Sequence, residues 1–398
     1  MRISIFLQAN KHDGNGFAVA VREQAVALSK LPDVKIQFVS TEKIDHTNEQ
    51  MFDNEVVYKR NDKDASNAAN LNYFSISNFR EVMKFNPDVL HFHEPSPFQL
   101  PYALWAKFTK RKVVFTAHQH CHYQFVLTRF DKVTFSAKFA ARFTEWAVGA
   151  YMKAATVVVA QTKLNRKFFI QNYDLAPEKV VVIANGIKIE EFQKYSAKGD
   201  LNTKCVNLIS IGNFEQRKRN LFLVQAIQHL PAEYRLDIFG KEVQTDYYNK
   251  ICAYIEQHGL QDRVMIHKPI NHKEVPETLA KHDIFLFAST IESCPLVLYE
   301  AKAACLAIVA VRPKFGYGDV AIDNENGVLL PAETNPAGLA VAIKKLVEDR
   351  VAYKKYSQTN FSTRHEDTWD MCALRLEKVY NFVLANRAKD YAPKAKLA

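Results

Sequence analysis

Two carboxylates, Glu292 and Glu300, bracket a mostly apolar run with a proline in "ASTIESCPLVLYEA", residues 288–301. The strand-like "DIFLFAS" (283–289) leads into this stretch, Thr290 to Cys294 reads as a loop, and Pro295 stands near the first turn of a helix through "LVLYEAKAA". In open α/β sheets ligands bind at the carboxyl ends of strands, where helix N-termini aim unpaired N–H groups outward. Such N–H groups suit a diphosphate. A carboxylate accepts hydrogen bonds from two neighbouring hydroxyls and so suits a ribose or a hexose. Diphosphate and diol together describe a sugar nucleotide. Two solvated surface acids would show the same spacing, so the pair alone leaves both readings open.

Histidines form the next constellation. His118 closes "VVFTAH" (113–118), His118, His120 and His122 alternate, and so do His91 and His93, with Glu94 adjacent. On strands, alternation puts each set on one face, which is an arrangement a metal can use. The six cysteines are scattered with no close pair, so they supply neither a thiolate site nor a disulfide framework, and a reducing cytoplasm is the natural setting.

These residues need a scaffold, and the chain is long enough for two. Its 398 residues exceed one ordinary core, while 48% apolar and 24% charged residues are ordinary globular values that exclude disordered and fibrous classes. The N-terminal apolar run, Ile3 to Leu7, is too short for a signal peptide or a membrane span and reads as a first strand. A net charge of +10 favours anionic partners without choosing among nucleotide phosphates, nucleic acid and an acidic membrane face. Arg387, Lys389, Lys394 and Lys396 add to it in the tail, which reads as a solvated end or as a contact with anionic lipid.

Short β-branched runs alternate with helical patterns: "ISIFLQ" (3–8), "VKIQFVS" (34–40), "VLHFH" (89–93), "KVVFTAH" (112–118), "TVVVA" (156–160) and "KVVVIAN" (179–185). A second series follows in "VNLISIGN" (206–213), "LDIFGK" (236–241), "RVMIHK" (263–268), "DIFLFAS" (283–289) and "LAIVAV" (306–311). Each series predicts a doubly wound parallel sheet. The domains expected are an N-terminal domain over 1–185, a polar linker over 186–204, and a C-terminal domain over 205–369.

Glu292 and Glu300, followed by "KAACLAIVAV", resemble the E-x7-E signature of the family 4 retaining glycosyltransferases of the GT-B fold. Other pieces fall in that family's order: the Asn15-Gly16 loop, "PDVLHFHEPSP" (87–97), "VVFTAH", "VVIANGI" (181–187), "IGNFEQRK" (211–218), "GLQDRVMIHKPI" (259–270) and "ENGVLLP" (325–331). The resemblance spans nearly the whole chain. It implies two Rossmann-like domains facing each other across a cleft, the first on the acceptor side and the second binding the nucleotide sugar, with a C-terminal helix at about 370–390 packing back on the first.

Carried over position by position, it implies that Glu300 binds the donor ribose and Glu292 the transferred sugar. Backbone N–H groups near Cys294, Leu296 and Val297 would support the diphosphate, and Lys218 would neutralise it as it leaves, work that a metal does in other transferases. Gly16 would let backbone approach the phosphates closely. His118 would lie near the reacting centre, and His93 and Glu94 on the acceptor side. No metal and no cofactor are implied. In one place the chain departs from the pattern: where the family has an arginine five residues before the lysine of "IGNFEQRK", Asn213 stands, and Arg217 beside Lys218 is the available replacement charge.

The function implied is retaining transfer of a sugar from a nucleoside diphosphate sugar, of the UDP type, to a hydroxyl acceptor in cell-surface polysaccharide, glycolipid or glycoconjugate synthesis. The acceptor would be lipid-linked, a polysaccharide or a protein, and nucleic acid is not an expected partner. A non-catalytic partner subunit of an active transferase is the alternative, kept open by Asn213. A sugar-nucleotide epimerase and a nicotinamide-dependent dehydrogenase fit less well, the latter because Val19 stands where the third glycine of G-x-G-x-x-G belongs. Residues 121–143 mix Phe125, Phe130, Phe135, Phe139 and Phe143 with Arg129, Lys132, Lys138 and Arg142. That mix suits either an amphipathic helix on the inner face of an anionic membrane or a core-facing helix with a solvated basic side.

Overall fold

The structure, a computed structural model, describes residues 1–7, 16–40, 76–94, 99–118, 134–313 and 319–385, together with the backbone of 54–57. Asn15, Pro95 to Pro97, His120, His122, the segment 121–133 and the tail from 386, which all carried sequence expectations, lie outside the described residues. The chain divides into two compact units: Met1–His120, Ala140–Gly186 and Trp369–Ala398 form the first, Cys121–Phe139 and Ile187–Thr368 the second.

The first unit is built on seven strands: β1 (Arg2–Leu7), β2 (Lys35–Ser40), β3 (Asn54–Val57), β4 (Val89–His93), β5 (Lys112–Thr116), β6 (Val157–Ala160) and β7 (Val180–Val182). They lie in the order β3-β2-β1-β4-β5-β6-β7, every pair parallel. Sequence order therefore runs one way from β1 and the other way from β4, and reverses between them. Leu7 of β1 pairs with His93 of β4, and His93 with Thr116 of β5, so these residues share the carboxyl edge of the sheet at that reversal. Helices cover both faces of such a sheet, which is why its strands read as near-continuous apolar runs. All five residues of β4 are buried. The Phe6 ring packs against those of Phe92 and Tyr102.

Local signals set the helix ends. Thr162 caps the helix Lys163–Tyr173 by accepting from Asn165 N at 3.0 Å, and Asp174 leaves it in the left-handed conformation. Asn335 caps Pro336–Glu348, and Asp349 caps Arg350–Thr363. The helix Trp369–Ala385 buries Trp369, Cys372, Ala373, Leu376, Val379, Tyr380 and Val383 at helical spacing. It packs on the helix Gly16–Ser29, where Gln24 donates to Cys372 Sγ at 3.3 Å.

Six strands form the second sheet: β8 (Val206–Ile211), β9 (Tyr234–Phe239), β10 (Val264–His267), β11 (Ile284–Phe287), β12 (Ala307–Val311) and β13 (Gly327–Leu330). The order is β10-β9-β8-β11-β12-β13, again all parallel, with the reversal between β8 and β11. Residues 186–204, expected to link the domains, contain a 3-10 turn at Ile189–Phe192. Buried Arg364 ties that stretch down by donating to Tyr195 O at 2.9 Å and Ala303 O at 3.0 Å.

Candidate active site

Loops leaving β8 and β11 meet at the reversal of the second sheet. Beyond β8 the backbone passes Gly212 and Asn213, makes a 3-10 turn over Gln216–Lys218, and enters the helix Asn220–Gln228 through Arg219 in the left-handed conformation. The turn is tight against its neighbour. A Cβ on Gly240, after β9, would stand 2.2 Å from Gly212 O, so only glycine permits this approach. Arg217 O accepts from Thr290 N at 2.8 Å, which stitches the β8 loop to the β11 loop.

That stitch brings four charges together. Lys218 Nζ donates to Glu292 Oε1 at 2.5 Å, Arg217 Nη1 to the same oxygen at 3.0 Å, and Arg217 Nη2 to Glu215 Oε1 at 2.8 Å. The side chains of Arg217, Lys218 and Glu292 are 13%, 15% and 12% exposed, and Glu215 only 3%, so the pairs are shielded without being sealed. Burial would raise the Glu292 carboxyl, but Lys218 and Arg217, with a hydrogen bond from Ser289, hold it below the usual carboxylate range. Burial also works against the Arg217 charge, and Glu292 and Glu215 reverse that effect. Arg217 therefore points inward, which its place in the sequence did not reveal. Asn213 is exposed, and its side chain accepts from Lys241 N at 3.4 Å.

Cys294, Leu296 and Val297 stand where the β11 loop becomes the helix Leu296–Ala303, with Pro295 at the cap position. Cys294 is buried and its Sγ contacts Tyr299 Oη at 3.3 Å. The first ladder bond here runs from Leu298 N to Pro295 O, so the helix itself does not use the N–H groups of Leu296 and Val297. One turn further, Glu300 is buried, with its Oε1 3.4 Å from His272 Nδ1. Burial first, and the Glu191 charge second, push its pKa up to about 7. The two acids thus have separate partners and opposite electrostatics. His272 escaped the sequence reading: it sits in a three-residue 3-10 turn capped by Asn271, and a lone polar turn carries no signal of what it will face.

At the reversal of the first sheet, His93 and His118 come together, His93 Nδ1 lying 2.9 Å from His118 Nε2. His118 Nδ1 is 2.9 Å from Gln161 Nε2, which also donates to Asn185 Oδ1 at 2.7 Å. The His91 ring lies 4.1 Å from that of His93, tilted by 36°, and bonds Tyr380 Oη and Thr116 Oγ1, each at 2.7 Å. Glu94 follows in the left-handed conformation (φ 60°) and its carboxylate accepts from His118 N. Burial lowers His91 to about 3 and His118 to about 4, and His93 well below its ordinary value, so all three rings are neutral at physiological pH. Gly16 opens the helix whose Phe17 ring lies 4.6 Å from that of His118. Among the described residues no group of three or more His, Cys, Asp or Glu could hold a metal ion.

A family model for glycosyltransferase family 4 matches residues 14–191, and one for glycosyl transferases group 1 matches residues 191–363. The chain belongs to glycosyltransferase family 4. Among curated relatives of this family 4 chain, the Campylobacter jejuni N-acetylgalactosamine-N,N'-diacetylbacillosaminyl-diphospho-undecaprenol 4-alpha-N-acetylgalactosaminyltransferase is 27% identical over 208 residues, 52% of this chain and 55% of the relative. The D-inositol 3-phosphate glycosyltransferase of Xylanimonas cellulosilytica is 24% identical over 239 residues, 57% of each. The chain therefore spans about half the length of the curated relatives it matches. Solved structures agree over far more of it. HepE of Anabaena in complex with UDP superposes with a TM-score of 0.74 at 15% identity, covering 96% of this chain and all of that one. WaaG, a glycosyltransferase involved in lipopolysaccharide biosynthesis, gives 0.66 at 14% identity over 96% of this chain. The fold of this family 4 chain is accordingly GT-B.

Proposed function

We propose that this protein is a retaining, metal-independent glycosyltransferase that moves a sugar from a UDP-sugar to a hydroxyl on a lipid-linked or polysaccharide acceptor. The observation that carries the reading is the charge cluster at the reversal of the second sheet: Lys218 and Arg217 on Glu292, beside the start of the Leu296–Ala303 helix. Breaking an anomeric bond builds negative charge on the departing diphosphate, and two shielded cations with two free helix N–H groups oppose it. When the diphosphate takes Lys218 and Arg217, Glu292 is released to accept from hydroxyls of the sugar. Glu300 accepts from the ribose diol. Arg217 answers the loss of the family arginine at Asn213, and this weighs against a non-catalytic subunit.

The uridine nucleotide is inferred from HepE, solved with UDP, and the lipid-linked acceptor from the Campylobacter relative, named for a diphospho-undecaprenol substrate. A further observation bears on location. In the helix Phe135–Ala154, Phe135, Phe139, Phe143 and Trp146 are 86%, 67%, 56% and 67% exposed and fall on one stripe, flanked by exposed Lys138 and Arg142. Among the described residues no helix is long and apolar enough to cross a membrane. An aromatic stripe with a basic border suits peripheral contact with an anionic membrane surface, where a lipid-linked acceptor resides. The test is a thermal-shift screen of nucleotide sugars: a true donor at a hundred times its Kd adds about 2.7 kcal/mol of stability. The product formed with that donor should keep the donor's anomeric configuration in the presence of a chelator. Failure of every UDP-sugar to bind at millimolar concentration would overturn the proposal.

A further inference from the structure

The imidazole cluster of the first unit contains a donor with nothing to donate to. An amide nitrogen only donates, so Gln161 Nε2, 2.9 Å from His118 Nδ1, requires that nitrogen to accept. Asn185 Oδ1 accepts the other hydrogen of the same amide group at 2.7 Å and so opposes a flip of Gln161. A neutral imidazole has one proton, so the His118 proton is on Nε2, where it is given to His93 Nδ1 at 2.9 Å. His93 then has its own proton on Nε2. That atom is buried and has no hydrogen-bond partner among the described residues. A buried donor left unpaired is costly, so the fold does not keep one without a compensating use.

Place gives the group a use. His93 ends β4, directly opposite Leu7 of β1, at the strand pair where the order of the sheet reverses. Open α/β sheets bind ligands outside the carboxyl ends of strands at such a point. His118, by contrast, already has both ring nitrogens engaged. We propose that Gln161, oriented by Asn185, is a positioning residue that keeps the proton on Nε2 of His118 and, through it, on Nε2 of His93, so that His93 presents an N–H donor to an oxygen of the bound substrate. The identity of that substrate rests on the glycosyltransferase reading; the proton positions do not.

The experiment uses the full chain without ligand, labelled with nitrogen-15 histidine, at pH 7.5, each ring assigned by single substitution. Long-range proton–nitrogen correlations separate protonated from bare ring nitrogens. Wild type should show His93 and His118 both protonated on Nε2, and His93 protonated on Nδ1 would overturn the proposal without any variant. In Gln161→Glu the carboxylate accepts from His118 Nδ1, so both rings should move to the Nδ1–H form. A His93 that keeps its wild-type form in that variant would remove Gln161 from the role. Asn185→Asp retains the acceptor for Gln161 and should keep the wild-type pattern. With a donor in hand, Gln161→Glu should lower kcat/KM tenfold or more, and wild-type kcat/KM in that variant would overturn the proposal.

Discussion

Glu300 offers the sharpest test, because its proposed task and its burial pull in opposite directions. Its pKa is pushed up to about 7 from an ordinary 4.5, first by burial and then by the charge of Glu191. Between those two values the folded protein keeps a proton that the unfolded chain has released. The stability this group contributes is therefore complete below pH ~4.5 and lost as pH rises toward ~7. At about 1.4 kcal/mol per tenfold change in proton affinity, the gap amounts to about 3 kcal/mol. Urea unfolding of wild type and Glu300→Gln, compared at pH 4.5 and pH 8, should show the variant gaining about 3 kcal/mol on wild type over that interval. A difference that stays level within about 0.5 kcal/mol would refute the burial argument. Donor binding reads the same proton from the other side. A carboxylate that accepts from a diol must be ionised, so donor affinity should fall by up to about tenfold per pH unit below 7, and Glu300→Gln should abolish that slope. Equal donor affinity in wild type and Glu300→Gln at pH 8 would sink the ribose assignment. His272→Ala controls for the neighbouring ring.

Lys218 and Arg217 should separate by their readouts. Lys218→Ala leaves Glu292 its arginine, so the fold should survive while turnover falls about a hundredfold or more, seen in steady-state kinetics. Arg217→Ala strands Glu215, which is nearly fully buried, and should cost about 3–5 kcal/mol in urea unfolding. For the helix stripe, Phe139→Ser with Trp146→Ser should reduce co-sedimentation with vesicles containing phosphatidylglycerol by tenfold or more and leave neutral vesicles unaffected. Each aromatic is worth roughly 1.5–3 kcal/mol when buried.

Legibility in the sequence followed the range of the interaction. Strands such as β4 and β12, buried along their whole length, read directly as apolar runs. Two strands did not. β3 is a four-residue edge strand, Asn54–Val57, too short to show a period. β13 begins with Gly327, which reads as a breaker, yet a Cβ there would stand 2.2 Å from Ile308 O, so the neighbouring strand demands the glycine. Site chemistry was legible in residue types and not in pairings. Nothing local in "EQRK" turns Arg217 rather than Gln216 toward Glu292, 75 positions away in the chain. His118 was found by its place at a strand end, but its link to Gln161, 43 positions on, is a product of neighbouring strands in the sheet.

The two sheet reversals carry different chemistry, and the difference has a physical logic. At the second, two cations and two carboxylates balance: Arg217 and Lys218 against Glu215 and Glu292. An empty site with unpaired cations would suffer both repulsion and desolvation, which Glu292 relieves by pairing with both. In the proposed reaction a doubly charged donor displaces it, and the carboxylate is free only once the phosphates have arrived. Donor binding and sugar binding are thereby coupled through one oxygen, Glu292 Oε1, which both cations share. At the first reversal the three buried imidazoles stay neutral, and what distinguishes their nitrogens is which of them carry protons. Placing charge at that point should therefore be costly within the first unit: His93→Lys puts an ammonium where a fully buried neutral ring stands and should lower the urea unfolding midpoint, and an unchanged midpoint would refute the neutral reading.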